Sequence, residues 1–113
     1  MAEAEWMFSF PEVAAMLPKD DTGVMRFCYA LKHGSMKLGL YAPAGHDTQG
    51  PHKQDELYVI AAGSGVFVKD GERRRFKAHD AIFVEAGVRH HFEDFTPDLA
   101  AWVIFWGPDG GEH

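Results

Sequence analysis

His52 and Glu56 carry the most chemistry in this chain. They lie four residues apart in Pro51-His52-Lys53-Gln54-Asp55-Glu56-Leu57-Tyr58-Val59-Ile60. If the run to Ile60 is a strand, period-two alternation points both side chains to one face, and an imidazole and a carboxylate share a pocket. Both are good ligands for a divalent transition metal, and a third is expected, because two rarely hold an ion. Gly87-Val88-Arg89-His90-His91-Phe92 offers it. Its two histidines are adjacent, so only one of them faces inward. Glu56 is the sharper signal, because a carboxylate in a run ending Leu-Tyr-Val-Ile is costly to bury unless it is paired or metal-bound.

The elements that position these groups follow from the rest of the chain. With 113 residues and 46% hydrophobic content, one domain is expected over residues 1–113. It divides into an N-terminal tail and helix (1–23), a barrel (24–107) and a polar tail (108–113). Ser9-Phe10-Pro11-Glu12 has the pattern of a capping box, which predicts a short helix from Ser9 to about Leu17, ending before Pro18. Met25–Leu31 and Met36–Tyr41 flank a His33-Gly34-Ser35 turn and predict two strands. A polar loop from Pro43 to Pro51 leads into a strand expected over His52–Ile60. Gly63-Ser64-Gly65 reads as a turn, Val66–Val68 as a strand, Asp70-Gly71 as a two-residue hairpin turn and Glu72–Phe76 as the returning strand. Further strands are expected at Ala81–Val84, His90–Phe95 and Leu99–Trp106. The last is apolar on both faces, so it is either central in a sandwich or covered by another subunit. Many short strands with only one helix give an all-β sandwich or small barrel.

Charge and composition exclude several functions. A net charge of -6 is wrong for an electrostatic nucleic-acid partner, which needs a clustered basic face. The lone Cys28 has no intrachain disulfide partner and fits a reducing compartment. The acidic start, Met-Ala-Glu-Ala-Glu-Trp, is unlike a basic secretory leader, and no apolar run is long enough to span a membrane. A soluble cytoplasmic protein with no nucleic-acid or membrane partner is the expectation. Trp6-Met7-Phe8 and the two-sided apolar strand carry more hydrophobic surface than one small barrel covers, which predicts a two-fold homodimer.

His52-Lys-Gln-Asp-Glu56, followed by six residues and Gly63, resembles the first motif of the cupin superfamily, in which His-x-His precedes a Glu and then a Gly. His79-Asp80, then Glu85-Ala86-Gly87-Val88-Arg89-His90 and Asp94, resembles the second, which runs Gly, five residues, Pro-x-Gly-x-x-His and Asn. The two motifs cover residues 45–94 in order and at the family's spacing. The resemblance implies a cupin-type antiparallel β-barrel or jelly-roll sandwich with one short N-terminal helix. It also implies a divalent transition metal (Fe, Mn, Ni or Zn) on His52, Glu56 and His90, the register choosing His90 over His91. Four positions depart from the pattern. Gly50 stands where the family has its first His, His79 and Glu85 replace the motif's glycine and proline, and Asp94 replaces its Asn. Gln49, seven residues before Glu56, takes the spacing of the first His in the longer form of the motif and could supply an oxygen, with His46 as a second option.

Each candidate has a plain reading beside the functional one. His52 is otherwise a surface histidine beside a turn, but its register with Glu56 favours ligation. Gln49 divides evenly between a ligand and a loop residue capping backbone groups. Tyr58 shares the Glu56 face as a candidate proton donor or substrate-orienting residue, against the simpler role of an amphipathic core tyrosine. His91 reads as an outer-face residue, and His33, His46 and His79 as surface histidines. Arg73-Arg74-Arg75 reads as a solvated hairpin edge and Cys28 as a buried, inert thiol. The function expected is a mononuclear metal enzyme acting on a small oxygen-bearing organic molecule. The resemblance implies dioxygenase-like or isomerase- or decarboxylase-like chemistry, oxidoreductase being favoured. The alternative is a non-catalytic module that binds or senses a small molecule.

Overall fold

The computed structural model describes residues 6–19, 25–47 and 49–113. The expected barrel start at Val24 and the first five residues of the tail lie outside them. The elements are α1 (Phe10–Ala14), β1 (Phe27–His33), β2 (Met36–Tyr41), β3 (Asp55–Ala62), β4 (Ser64–Lys69), β5 (Glu72–Lys77), β6 (Ala81–Val84), β7 (His90–Glu93) and β8 (Ala100–Trp106). They form two antiparallel sheets, a five-stranded one ordered β1-β2-β8-β3-β6 and a three-stranded one ordered β5-β4-β7. The architecture is an all-β jelly-roll-type sandwich with one short helix. Among the described residues no ladder joins β5 to β6, so the sheets face each other without closing into a continuous barrel.

Local sequence sets the connections. Asp70 and Gly71 both have positive φ, 49° and 86°, the geometry a two-residue primed turn requires between right-twisted strands. Gly63 turns β3 into β4 at φ 89°, and a Cβ there would sit 2.7 Å from the Leu99 Cα, so only glycine fits. The turn is a single residue, because Ser64 already pairs in β4. Ser9 caps α1 by accepting from the Glu12 N–H at 3.2 Å. The helix stops at Ala14, short of the expected Leu17. Met16 and Leu17 instead close tight turns onto Val13 and Ala14.

The main core lies between the sheets, where Tyr41, Tyr58, Ile60, Val103 and Phe105 from the large sheet meet Phe67, Phe76 and Phe92 from the small one. A second cluster explains why β8 is apolar on both faces. Val13 and Leu17 pack on Leu40, Ala42 and Ala100 outside the large sheet, and Phe10 meets the Trp102 ring edge-on at 6.3 Å. The chain's own helix therefore covers the Trp102 end of the strand. Among the described residues no helix is long and apolar enough to cross a membrane.

Candidate metal centre

Asp55 and the turns around it bring the two motifs together. Its buried carboxylate accepts from the Ala86 N–H and the Glu112 N–H, both at 2.9 Å, tying the loop before β7 and the C-terminal segment to the start of β3. These backbone hydrogen bonds hold its pKa below the usual carboxylate value. The Gly87 N–H donates to the His52 carbonyl at 2.8 Å. His52 is thus placed by a loop fastened to the other motif. The strand expected from His52 starts three residues later, at Asp55, because Pro51 interrupts the ladder and the loop bond claims the His52 carbonyl.

Three side chains converge. His90 Nε2 lies 3.0 Å and His52 Nε2 3.7 Å from Glu56 Oε1, and the two imidazole rings are 5.1 Å apart. One ligand atom from each of the three falls within 4.8 Å of the others, the spread one ion can span. Glu56 and His90 are buried at 1% and 3% exposure, and His52 is half-buried at the rim.

The hydrogen atoms do not suffice for this cluster. His90 Nδ1 lies 2.9 Å from the Val88 carbonyl, which can only accept, so Nδ1 carries the proton. In neutral His90, Nε2 is then a bare lone pair, facing Glu56 Oε1 at 3.0 Å and the Tyr58 hydroxyl at 3.1 Å. Tyr58 has one proton, and Gln49 Oε1 accepts from it at 2.8 Å. Both Glu56 oxygens are buried without a hydrogen-bond donor. Acceptors outnumber donors, and the contact between His90 and Glu56 is favourable only with a proton or a cation between them.

The pKa directions follow. Desolvation pulls His90 down, but its hydrogen bonds to Glu56 and Val88 and the Glu56 charge outweigh it, and the net shift is upward. Desolvation lowers His52, with the Glu56 charge opposing. Burial raises Tyr58 well above its ordinary value, which keeps the phenol protonated.

Residues 38–106, most of the chain, match the family described as the cupin domain. The chain is a cupin. Its relatives include SCO3923 of Streptomyces coelicolor, 33% identical over 104 residues that cover 90% of this chain and 96% of that protein. The acireductone dioxygenase of Frankia alni is 41% identical over 64 residues, which is 52% of this cupin but only 31% of the dioxygenase. Among solved structures, a cupin 2 conserved barrel domain protein from Salinispora arenicola superposes with a TM-score of 0.69 at 20% identity, over 93% of this chain and 91% of that one. That likeness shows the fold.

The cupin's remaining candidates sort by position. Gln49 is in the cluster, its Oε1 3.1 Å from His52 Nε2, whereas His46 is outside it. Asp47 fixes the Gln49 amide, accepting from its Nε2 at 2.7 Å and its backbone N–H at 3.1 Å, so the amide oxygen faces His52 and Tyr58. Asp47 also accepts from the Phe92 N–H at 2.8 Å and from the Tyr41 hydroxyl. The only sequence signal for this role is local, since an Asp two residues before the backbone N–H it accepts from is the ordinary Asx-turn pattern. His91 lies on the outer face, 2.6 Å from Glu93, and β5 is an exposed edge strand that carries Arg73, Arg74 and Arg75. Strand β7 ends at Glu93, before the expected Phe95, where Asp94 enters the left-handed region at φ 48°. Cys28 is half-buried beneath α1, with Sγ 3.5 Å from the Val13 carbonyl, and burial raises its pKa. A cavity of about 130 Å³ adjoins the cluster, lined by Gln49, His52, Glu56 and Tyr58 together with Phe27, Tyr29 and Phe105.

Proposed function

We propose that this cupin holds one divalent transition metal on His52, Glu56 and His90, with Gln49 Oε1 as a fourth donor, and acts on a small oxygen-bearing organic molecule. The observation that carries this reading is the buried surplus of acceptors. When His90 is neutral, two Glu56 oxygens and the His90 lone pair face one another with no proton between them. Two imidazoles and a carboxylate form the set used by many non-haem iron sites, with positions left open for other ligands. A divalent ion so held supplies Lewis-acid or redox chemistry to an oxygen-bearing molecule.

The protein's own groups would do the rest. The Tyr58 hydroxyl, kept protonated by burial, is a proton donor at the cavity wall, and the Phe27, Phe105 and Val103 side chains give the cavity an apolar lining. The stretch shared with the Frankia alni dioxygenase favours oxidoreductase chemistry over isomerase or lyase chemistry. A non-catalytic binding module is the second reading, favoured by Gly50 at the first ligand position of the family.

The test is metal content by elemental analysis, after reconstitution with iron, manganese, nickel or zinc, in wild type and in His52→Ala, Glu56→Ala and His90→Ala. Near-stoichiometric metal in wild type, lost in all three variants, is expected. Metal-free wild type would overturn the reading. Turnover of oxygen-bearing substrates by loaded protein then separates the enzyme from the binding module.

A further inference from the structure

Beside the metal centre, Lys37 and Lys32 stand over two of the rings that line its cavity. Glu56, Phe105 and Lys37 are directly cross-strand on β3, β8 and β2, so their side chains share the inner face of the large sheet. Lys37 is opposite Lys32 on β1, which extends the row by one strand. Lys37 is half-buried and Lys32 exposed, so both ammoniums stay open to a ligand arriving from solvent. Here neither ammonium has a carboxylate partner among the described residues. Lys37 Nζ sits 5.4 Å from the Phe105 ring centroid and 6.0 Å from that of Tyr29, and Lys32 Nζ sits 4.4 Å from Tyr29.

This arrangement is built by the backbone. A register shift between Tyr29 and Leu31 puts Tyr29 and Lys32 on one face although they are three residues apart. Two like charges directly opposite across strands destabilise a sheet unless something negative lies between them. The chain as a whole is acidic, at -6, whereas the lysine pair sets two positive charges beside the cavity. Tyr29 and Phe105, the rings beneath the ammoniums, both line the 130 Å³ cavity that Gln49, His52, Glu56 and Tyr58 also line. That volume is well below the roughly 300–1,000 Å³ of pockets for drug-sized ligands.

We propose that the ligand of this site is a small organic carboxylate, with its anionic group on Lys37 and Lys32 and its other end at the His52, Glu56 and His90 cluster. Strands β2 and β3 lie either side of β8, so their backbones are about 10 Å apart and a short molecule reaches both the lysines and the cluster. Phe27, Val103 and Phe105 between them accept an apolar or planar body. Lys37 is a specificity residue in this scheme. The inference rests on the proposed function for the far end of the ligand and on the lysine pair alone for the near end.

Titrations of pyruvate and benzoate, beside neutral acetamide and benzamide, test it by amide NMR shifts and calorimetry in metal-loaded and metal-free protein. Metal content is measured on the same samples of wild type, Lys37→Met and Lys32→Met. Wild type should bind the carboxylates at least about tenfold tighter than the amides, with shifts at Lys37, Tyr29 and Phe105. Lys37→Met should abolish the preference with metal content unchanged, and Lys32→Met should weaken it. Equal affinity for acid and amide, a preference that survives Lys37→Met, or shifts confined to other surface lysines would overturn the proposal. If wild type takes up no metal, the proposed function fails separately. The Lys37-dependent shifts in metal-free protein then still decide the carboxylate site, their presence supporting it and their absence refuting it.

Discussion

Replacing Glu56 by Gln distinguishes a metal centre from a buried ion pair, because the two give opposite signs of stability at opposite ends of the pH range. Glu56 is 1% exposed and its Oε1 lies 3.0 Å from His90 Nε2. When His90 is neutral, two acceptors face each other. A Gln amide turned with its NH₂ toward His90 donates into that lone pair and removes an unsatisfied buried group. Leaving such a group unsatisfied costs about 1–3 kcal/mol. Metal-free Glu56→Gln should therefore be more stable than metal-free wild type at high pH by about that amount, or roughly 4–12 °C in Tm for a domain of this size.

At low pH the sign reverses. The folded pKa of His90 is raised, so its pairing with Glu56 contributes in full below the unfolded imidazole value of about 6.5 and is lost as pH rises through the higher folded value. At about pH 5 the variant breaks a protonated, buried pair, which costs about 3–5 kcal/mol. Urea denaturation of chelator-treated wild type and variant at both ends of the range reads the crossover directly. With metal supplied, Glu56→Gln should lose at least about 100-fold in affinity. A variant less stable than wild type at every pH would show that the contact is a structural ion pair and would refute the reasoning.

Three further outcomes are expected. Asp47→Asn removes the acceptor that fixes the Gln49 amide, so metal affinity by chelator competition should fall about 10- to 100-fold with the three main ligands intact; unchanged affinity would show that Gln49 orientation is irrelevant. His79, at φ 78° where the family's second motif has glycine, should accept glycine with a gain of about 0.5–1 kcal/mol in chemical denaturation, and a loss would mean that its imidazole contributes more than its backbone costs. Two-fold association is expected from light scattering at micromolar concentration. Leu31, Leu38, Ile104, Leu57 and Phe83 are aligned partners in one apolar row across the outer face of the large sheet; a monomer refutes this, and Ile104→Arg should dissociate a dimer.

The parts of this molecule that a sequence makes legible are those set by short-range rules. Asp70-Gly71 needs only two positive φ angles to make its hairpin, and Ser9 and Glu12 need only one turn to make their cap. Glu56 and His90 were legible for a similar reason, since a carboxylate in an apolar strand and a motif histidine are anomalies within their own segments. The extent of α1 was not, because packing on Leu40 and Ala100 decides it more than helix propensity does. Trp102 shows the same limit. Its strand is central in the five-stranded sheet, one of the two placements expected for a two-sided apolar run, but the five-residue helix that covers its Trp102 end is not legible in the strand itself.

Asp47 and Lys37 are not legible in the sequence, for a different reason. Neither is anomalous in its own segment, since an aspartate in a polar loop and a lysine in an amphipathic strand are ordinary. Their meaning depends on long-range register: Asp47 is 45 residues from the Phe92 N–H it accepts from, and Lys37 faces inward because β2 pairs with β8 at Phe105. The same holds for His52, whose ring is delivered by a hydrogen bond from Gly87 in the other motif and not by the alternation of a strand. The cluster is consequently assembled from loops on one side and from a fixed ladder on the other. Glu56 and Tyr58 are held by β3, with neighbours on both sides, while His52 and Gln49 are held by Gly87 and Asp47. A rigid carboxylate wall facing an adjustable imidazole-amide wall lets the ligand atoms close around an ion without straining the sheet. In such a design, changes to the Asp47 and Gly87 loops should alter affinity before they alter stability.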